Sequence, residues 1–320
     1  MSNIYQPVIN VLKEGKKILI VSHGHPDGDG IGSTLALSQG LKTLGKEVVM
    51  FNMDKVPFNL KFLPFSDEII HSVSQDAKFD VTLMVDCAQR DRVGGDVAKL
   101  PREALGKIVL IDHHKIESAD CDVLCIDEDA AATGEVVCRL FAAMGLKITP
   151  EIANLLFTTF VVDSGSFRYS NTSAGLLKDA AMLVEAGASP WKIAIALDET
   201  NPPAYIKLLR SVLATFEMKD CVAWIFLTQQ MLNEAGASVD VAEEFINFPR
   251  SIDGVEVAIL FREQRAGRWK ISFRSKYDVD VQKIASVFSG GGHAHAAGCT
   301  IEGPIADVKE KVLGEVFRNL

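Results

Sequence analysis

Cysteine is sparse in this 320-residue chain: six residues, at 87, 121, 125, 138, 221 and 299, scattered through apolar surroundings. A chain of this length has core enough to fold without disulfides, so reduced and mostly buried thiols are expected. No stretch approaches the ~20 consecutive apolar residues of a membrane helix, and the first residues, MSNIYQPVINVLKEGKK, lack the apolar centre of a secretory signal. A cytoplasmic location is the expectation, with no membrane partner. Basic excess is also missing, since the net charge is −9 and the pI about 5.3. That balance excludes a broad basic face that coats long duplex nucleic acid, so any nucleic-acid partner should be short. One local exception runs from 250 to 276, where Arg250, Arg262, Arg265, Arg268, Lys270, Arg274 and Lys276 outnumber Asp253, Glu256 and Glu263. The segment is either a phosphate-binding surface or an ordinary charged hairpin. Internal repeats and low-complexity tracts are absent as well.

What is present is alternation of apolar runs. KKILIVS, EVVMF, VTLMVD and KIVLID read as short buried strands, separated by helical patterns such as GSTLALSQGLKTLG, whose closing Gly45 suits a helix C-terminus. This order predicts an α/β fold with a parallel sheet, helices on both faces, and a binding site beyond the carboxyl ends of the strands. From about 130 to 187 the pattern is helical, with Asp163 at a helix terminus. Pro202 and Pro203 suit a connection rather than a helix interior. After them CVAWIFLT, GVEVAILFRE and RWKISFRSK read as strands, with VDVQKIASVF and PIADVKEKVLGEVF as covering helices. The expected organisation is a catalytic metal-binding domain over 1–189, a linker and connecting helix over 190–217, and a smaller α/β domain over 218–320. Trp191, Trp224 and Trp269 lie in apolar or alternating patterns and read first as core, and His71 stands alone as a surface or structural residue.

The chemistry concentrates at HGHPDGDG, residues 23–30, where His23, Asp27 and Asp29 share one turn leaving a strand. Asp86 closes the next strand-like run but one, Asp112, His113 and His114 close another, and Asp163 ends a helical run. Clustered carboxylates repel one another at neutral pH and destabilise a fold unless cations sit between them, so a pair of divalent ions is the simplest neutraliser. Mixed histidine and aspartate ligands without thiolates point to manganese over zinc, magnesium or calcium. The plainer reading of Asp27-Gly28-Asp29-Gly30 alone is a polar turn. His23 and three further acidic segments at element ends weigh against it.

In order and content these segments resemble the DHH phosphoesterase superfamily: His23, Asp27 and Asp29, then a strand-terminal Asp86, then the triplet 112–114, then Asp163. SGGGHAHAAGC at 289–299 is similar to the glycine-rich signature of the DHH-associated second domain, and FRYSNTS at 167–173 looks most like the nano-RNase and pAp phosphatase group. The resemblance implies that His23 and Asp27 hold one metal, that Asp29, His113 and Asp163 hold the other, and that Asp86 bridges them. Two ions roughly 3.5–4 Å apart can share and acidify a hydroxide for attack on phosphorus. With no metal slot left, His114 should face substrate, and Asp112 should orient ligands. His25, whose place is often Asn in the family, reads as a hydrogen-bonded spacer.

The resemblance extends substrate contact to Arg274 and Ser275, and to Gly290, Gly291, Gly292 and His293, whose backbone amides suit an anion. A helix end is the plainer role for those glycines. His295 is equally a structural residue, and Ser289 stands where the family has glycine. Arg168 is either a nucleotide clamp or half of an ion pair, and Arg262 is a weaker candidate. The expected activity is hydrolysis of short oligoribonucleotides to mononucleotides, and of 3′-phosphoadenosine 5′-phosphate (pAp) to AMP, by a catalytic domain over which the second domain closes. Whether the protein is a homodimer stays open. Three alternatives are a linear or cyclic dinucleotide phosphodiesterase, a manganese-dependent inorganic pyrophosphatase, which would not be expected to carry GGGH, and a nucleotide sensor without turnover. Intact ligands weigh against the last.

Overall fold

A computed structural model describes residues 4–116 and 118–320, with the side chains of Glu243 and His293 outside that description. The chain divides into two units, Met1–Thr200 and Asn201–Leu320.

The first unit begins with helix α1 (Tyr5–Glu14), strand β1 (Lys17–Val21), α2 (Gly28–Thr43), β2 (Glu47–Phe51), β3 (Val81–Val85) and the short α3 (Arg90–Val93). It continues through β4 (Lys107–Asp112), β5 (Val123–Ile126), α4 (Thr133–Met144), α5 (Pro150–Asp163), α6 (Ala174–Glu185) and α7 (Pro190–Asp198). Five strands form one parallel sheet in the order β2-β1-β3-β4-β5, with Ile18 beside Val81 and Asp112 beside Ile126. Parallel strands must be apolar on both faces because connecting helices cover them. Strand β3, VTLMV, is accordingly buried at all five positions. On one face Ile18, Ile20, Leu83, Val109 and Ile111 pack with α1, α2, α4 and α5. On the other, Leu19, Val21, Met84, Ile108 and Leu110 pack with α3, with 3-10 turns at Val97–Lys99 and Arg102–Leu105, and with the loops between them. Each fully buried Leu or Ile contributes about 2 kcal/mol of apolar burial, and the two layers together fix the strand ends on which the site is built.

The second unit comprises α8 (Pro203–Leu213), β6 (Glu217–Lys219), β7 (Val222–Leu227), α9 (Gln229–Ala235), α10 (Asn247–Arg250), β8 (Val257–Arg265) and β9 (Arg268–Ser275). Helix α11 (Val281–Val287), β10 (Gly291–His293), β11 (Ala296–Glu302) and α12 (Ile305–Arg318) complete it. Its mixed sheet runs β10-β11-β9-β8-β7-β6, parallel only between β7 and β8. Strand β9 alternates buried and half-buried residues, the period of a strand with unlike faces. One face packs with α11 and α12, the other with α8 and α9.

Of the segment 190–217, expected as a linker and connecting helix, α7 packs on α5 in the first unit and α8 on β7 in the second. Two expectations need correction here. Trp191, read as core, is 69 % exposed near the start of α7, whereas Trp224 and Trp269 are buried. The glycines, for which a helix end was the plainer role, instead lie largely in a hairpin, since β10 and β11 pair antiparallel with Gly292 facing Ala297. No single helix among the described residues is long and apolar enough to cross a membrane.

Candidate metal centre and active site

Four element ends meet at the carboxyl edge of the parallel sheet. Asp27 caps α2, and its Oδ1 accepts the backbone N–H groups of Asp29 and Gly30 at 3.1 and 3.0 Å. Its other oxygen faces His23 Nε2 at 3.8 Å. The turn reading and the ligand reading of Asp27 are therefore compatible, since the turn uses only one oxygen. Asp86 leaves β3 with φ +54, a left-handed conformation that aspartate tolerates better than most residues. Its Oδ2 lies 3.3 Å from His23 Nε2 and its Oδ1 3.2 Å from His114 Nδ1. A second group forms where His113 Nε2 sits 3.3 Å from Asp163 Oδ2 and 3.8 Å from Asp29 Oδ2.

The sets His23, Asp27, Asp86 and Asp29, His113, Asp163 each bring three potential ligand atoms within 4.8 Å, and a third set joins Asp86 and Asp112 with His113 and His114. Donor chemistry fits a divalent cation. The His23 Nδ1 side is engaged by the Gly24 carbonyl at 2.8 Å and the His113 Nδ1 side by the Ala130 carbonyl at 3.2 Å, which leaves each Nε2 facing carboxylates. His113 Nε2 is buried and makes no hydrogen bond. A buried nitrogen of that kind is costly unless something completes it. The neighbouring Asp112 accepts the backbone N–H groups of His113 and His114 at 2.7 and 2.9 Å and meets His114 Nδ1 at 2.7 Å. It has the geometry of an orienting group.

Protonation reports the same crowding. Burial, together with the charges of Asp163 and Asp86, holds the Asp29 carboxyl well above the usual range, with His113 only partly offsetting them. Burial and the charges of Asp27 and Asp86 do the same to Asp163. Burial pulls the His23 imidazole down, but Asp27 and Asp86 outweigh it and lift it to about 11. His114 rises to about 10 as Asp112 and Asp86 overcome its burial. Asp86 is the opposite case: His114 and His23 hold its carboxyl far below the usual range despite burial. Carboxylates packed this closely are balanced by protons when no cation is among them.

Sequence reading missed several residues that position this cluster. The first turn of α4 is aimed at Asp29: Thr133 N–H donates to Oδ2 at 2.7 Å and Gly134 N–H to Oδ1 at 3.0 Å, while Thr133 Oγ1 reaches Asp86 at 3.3 Å. Ser33 Oγ adds a bond to Asp29 at 3.1 Å. Asn52, at the end of β2, donates to the His23 carbonyl at 2.9 Å. Glu135, fully buried, accepts from Ala131 N–H at 2.7 Å and pairs with Arg139, which also reaches Asp127 at 2.6 Å. The only sequence signal was the TGE opening of a helical run. Beside His23 lies a cavity of about 480 Å³ lined by His23, Gly24, His25, Met53, Asp54 and Arg92.

The remaining candidates are placed less openly. Arg168 is exposed, with its Nε donating to the Gly165 carbonyl at 2.7 Å. In the second unit Arg274 Nη1 donates to the Phe273 carbonyl at 3.1 Å. Ser275, 3 % exposed, bonds through Oγ to His295 Nδ1 at 2.9 Å, which gives both residues a structural tie. A Cβ at Gly290 would lie 2.3 Å from the Gly298 carbonyl oxygen, and one at Gly292 2.5 Å from that of Ala296, so hairpin packing alone requires both glycines. Gly291 faces open space, and the His293 side chain lies outside the described residues. Ser289 takes φ +59, a glycine-like conformation. His71 meets the Asn52 carbonyl at 3.0 Å on the exposed surface.

Comparison with known proteins agrees with this picture. Residues 17–159 match the DHH family, N-terminal domain, and residues 221–319 match the DHHA1 domain. The chain is 34 % identical over 316 residues to the bifunctional oligoribonuclease and PAP phosphatase NrnA of Thermus thermophilus, covering 98 % of this chain and 93 % of that one. Identity to the protein of the same name from Bacillus subtilis is 27 % over 288 residues, 89 % of each chain. The crystal structure of an exopolyphosphatase-related protein from Bacteroides fragilis is similar with a TM-score of 0.92 and 25 % identity, covering 99 % of this chain and 96 % of the other.

Proposed function

The chain belongs to the DHH family of phosphoesterases and carries a DHHA1 domain, and we propose that it hydrolyses short oligoribonucleotides to mononucleotides and pAp to AMP using two divalent ions. The observation that carries this reading is the pair of three-residue groups on one sheet edge, with His113 Nε2 buried and unpartnered between Asp29 and Asp163. His23, Asp27 and Asp86 would hold one ion, and Asp29, His113 and Asp163 the other, with Asp86 close enough to serve both. Manganese suits this nitrogen and oxygen donor set. When bound, such ions neutralise the clustered carboxylates and supply an acidified water for attack on phosphorus.

The chain's own residues do the rest. The first turn of α4 and Ser33 hold the Asp29 carboxylate, and the Gly24 and Ala130 carbonyls fix the two ligand imidazoles. His114, held by Asp112 and 31 % exposed on its side chain, is the group that would donate to a phosphoryl or leaving-group oxygen. Arg274, Gly291 and His293 are the proposed anion contacts of the second unit, with Ser275, Gly290 and Gly292 shaping them. Arg168 is a peripheral candidate. The substrates follow the names of the relatives and the acidic overall charge, which disfavours long polyanions.

Incubation of purified protein and manganese with pAp, a diribonucleotide, a ~24-residue RNA, a cyclic dinucleotide and pyrophosphate tests the reading, with Asp86→Ala as control. Initial rates should favour pAp and the diribonucleotide, and the control should lose roughly 100-fold or more, beyond the 10–100-fold typical of residues that only orient a metal ligand. Preference for pyrophosphate or the long RNA would overturn it.

A further inference from the structure

Apart from His23, the cavity of about 480 Å³ is lined by residues that metal binding does not use. Met53 follows β2 and is 43 % exposed, and its thioether rests where side chains are missing: a Cβ at Gly94 would come within 2.2 Å of Met53 Sδ, one at Gly24 within 2.9 Å, and one at Gly95 within 3.1 Å of Met53 Cβ. Gly94 and Gly95 take φ +65 and +58, so the turn both requires glycine and makes room for the methionine. His25 stands across from it with φ +54 and a side chain 98 % exposed, its backbone N–H donating to Asp54 Oδ2 at 2.8 Å and its ring 3.6 Å from the same oxygen. Left-handed non-glycine residues are held against their preference, commonly where ligands bind.

The third wall is cationic. Arg90 and Arg92 share the short α3, yet they differ. Arg90 donates to the Leu100 carbonyl at 2.9 Å and faces Asp120, a structural role. Arg92 is exposed and lines the cavity, and its guanidinium forms no ion pair with the described residues, although its backbone carbonyl anchors Gly24 N–H at 2.7 Å. An uncommitted guanidinium, a polarisable thioether and an imidazole around one opening, next to a metal-ligand histidine, match the parts of a nucleotide: a phosphate and a flat base.

We propose that this cavity is the subsite for the second nucleotide of an oligoribonucleotide, with Arg92 on its phosphate and Met53 and His25 flanking its base. The proposal rests on the phosphoesterase reading above and adds to it where the strand lies on the first unit. The adaptable thioether would accept any base, so the subsite recognises length rather than sequence.

Steady-state kinetics on a 5′-phosphorylated diribonucleotide and on the same compound lacking its second base test it, with manganese throughout. Wild-type enzyme should show a lower KM for the complete dinucleotide. Arg92→Ala should raise KM roughly 10-fold or more for both compounds with kcat within threefold, as expected for loss of a charge-assisted contact made equally in ground and transition states. Met53→Ala should raise KM for the complete dinucleotide only, by roughly 5-fold, from the lost thioether contact with the base. Both side chains are solvent-accessible, so the thermal midpoints of the variants should match wild type within a few degrees. Turnover by wild type with unchanged KM in both variants, or equal KM for the two compounds, would overturn the subsite. Failure of wild type to turn over either compound would instead overturn the functional reading, and it would be evident before any variant is compared.

Discussion

Backbone strain is concentrated in a few segments of the chain. His25, Asp86, Ser166, Phe167 and Ser289 all adopt positive φ without being glycine, and all lie at or near segments read as functional. The surrounding structure holds each of them there at a cost on the order of 1–3 kcal/mol. Ser289 is the case without a compensating contact from its own side chain, since its backbone N–H alone is engaged, by Ser286. Ser289→Gly should therefore stabilise the protein by about 1 kcal/mol, seen as a higher urea midpoint with unchanged slope. The residues gathered at the sheet edge were legible in the sequence because a carboxylate or imidazole close after an apolar run marks itself locally. Thr133, Gly134 and Arg92 were not, because their meaning comes from a fold that brings Thr133 to Asp29 across 104 positions.

Elements transmit order to the acidic cluster. The segment before α4 accepts His113 through the Ala130 carbonyl, and Glu135 braces that segment through Ala131 N–H while Arg139 ties it to Asp127 and Asp179. Burial raises the Glu135 carboxyl, with the Ala131 bond and Arg139 opposing it. Glu135→Ala should cost about 2 kcal/mol in denaturant unfolding, since it leaves buried Ala131 N–H unmatched while Arg139 keeps other partners. It should also weaken manganese binding roughly 10-fold or more by calorimetry, the effect of loosening a ligand's support. The longer helices and strands followed from 3.6- and 2-residue periodicity. Strand β5 escaped notice because four residues carry too little pattern. The β10–β11 hairpin escaped because glycine lacks strand preference, and its pairing is imposed by β9.

At the scale of the whole molecule, the acidic cluster makes stability depend on pH and metal together. His23 and His114 have folded pKa values raised to about 11 and about 10, so their contribution is complete below ~6.5 and is lost as pH climbs toward those values. Asp29 and Asp163 are raised as well, and each loses stability as pH rises above ~3.9 toward its folded value. Asp86 alone runs the other way, losing its contribution as pH falls below ~3.9. Metal-free protein should consequently show a falling thermal midpoint between pH 6.5 and 9. Saturating manganese should raise the midpoint and flatten that fall, because a cation then does what the protons did. A fall of the same steepness with and without manganese would speak against cation balance.

The proposed function rests on six side chains that could together hold paired cations. Anomalous diffraction from crystals grown with manganese addresses that directly. Two strong peaks should appear, one among His23, Asp27 and Asp86 and one among Asp29, His113 and Asp163. A cluster bare of anomalous density at saturating manganese, or a single ion bound outside those two groups, would contradict it.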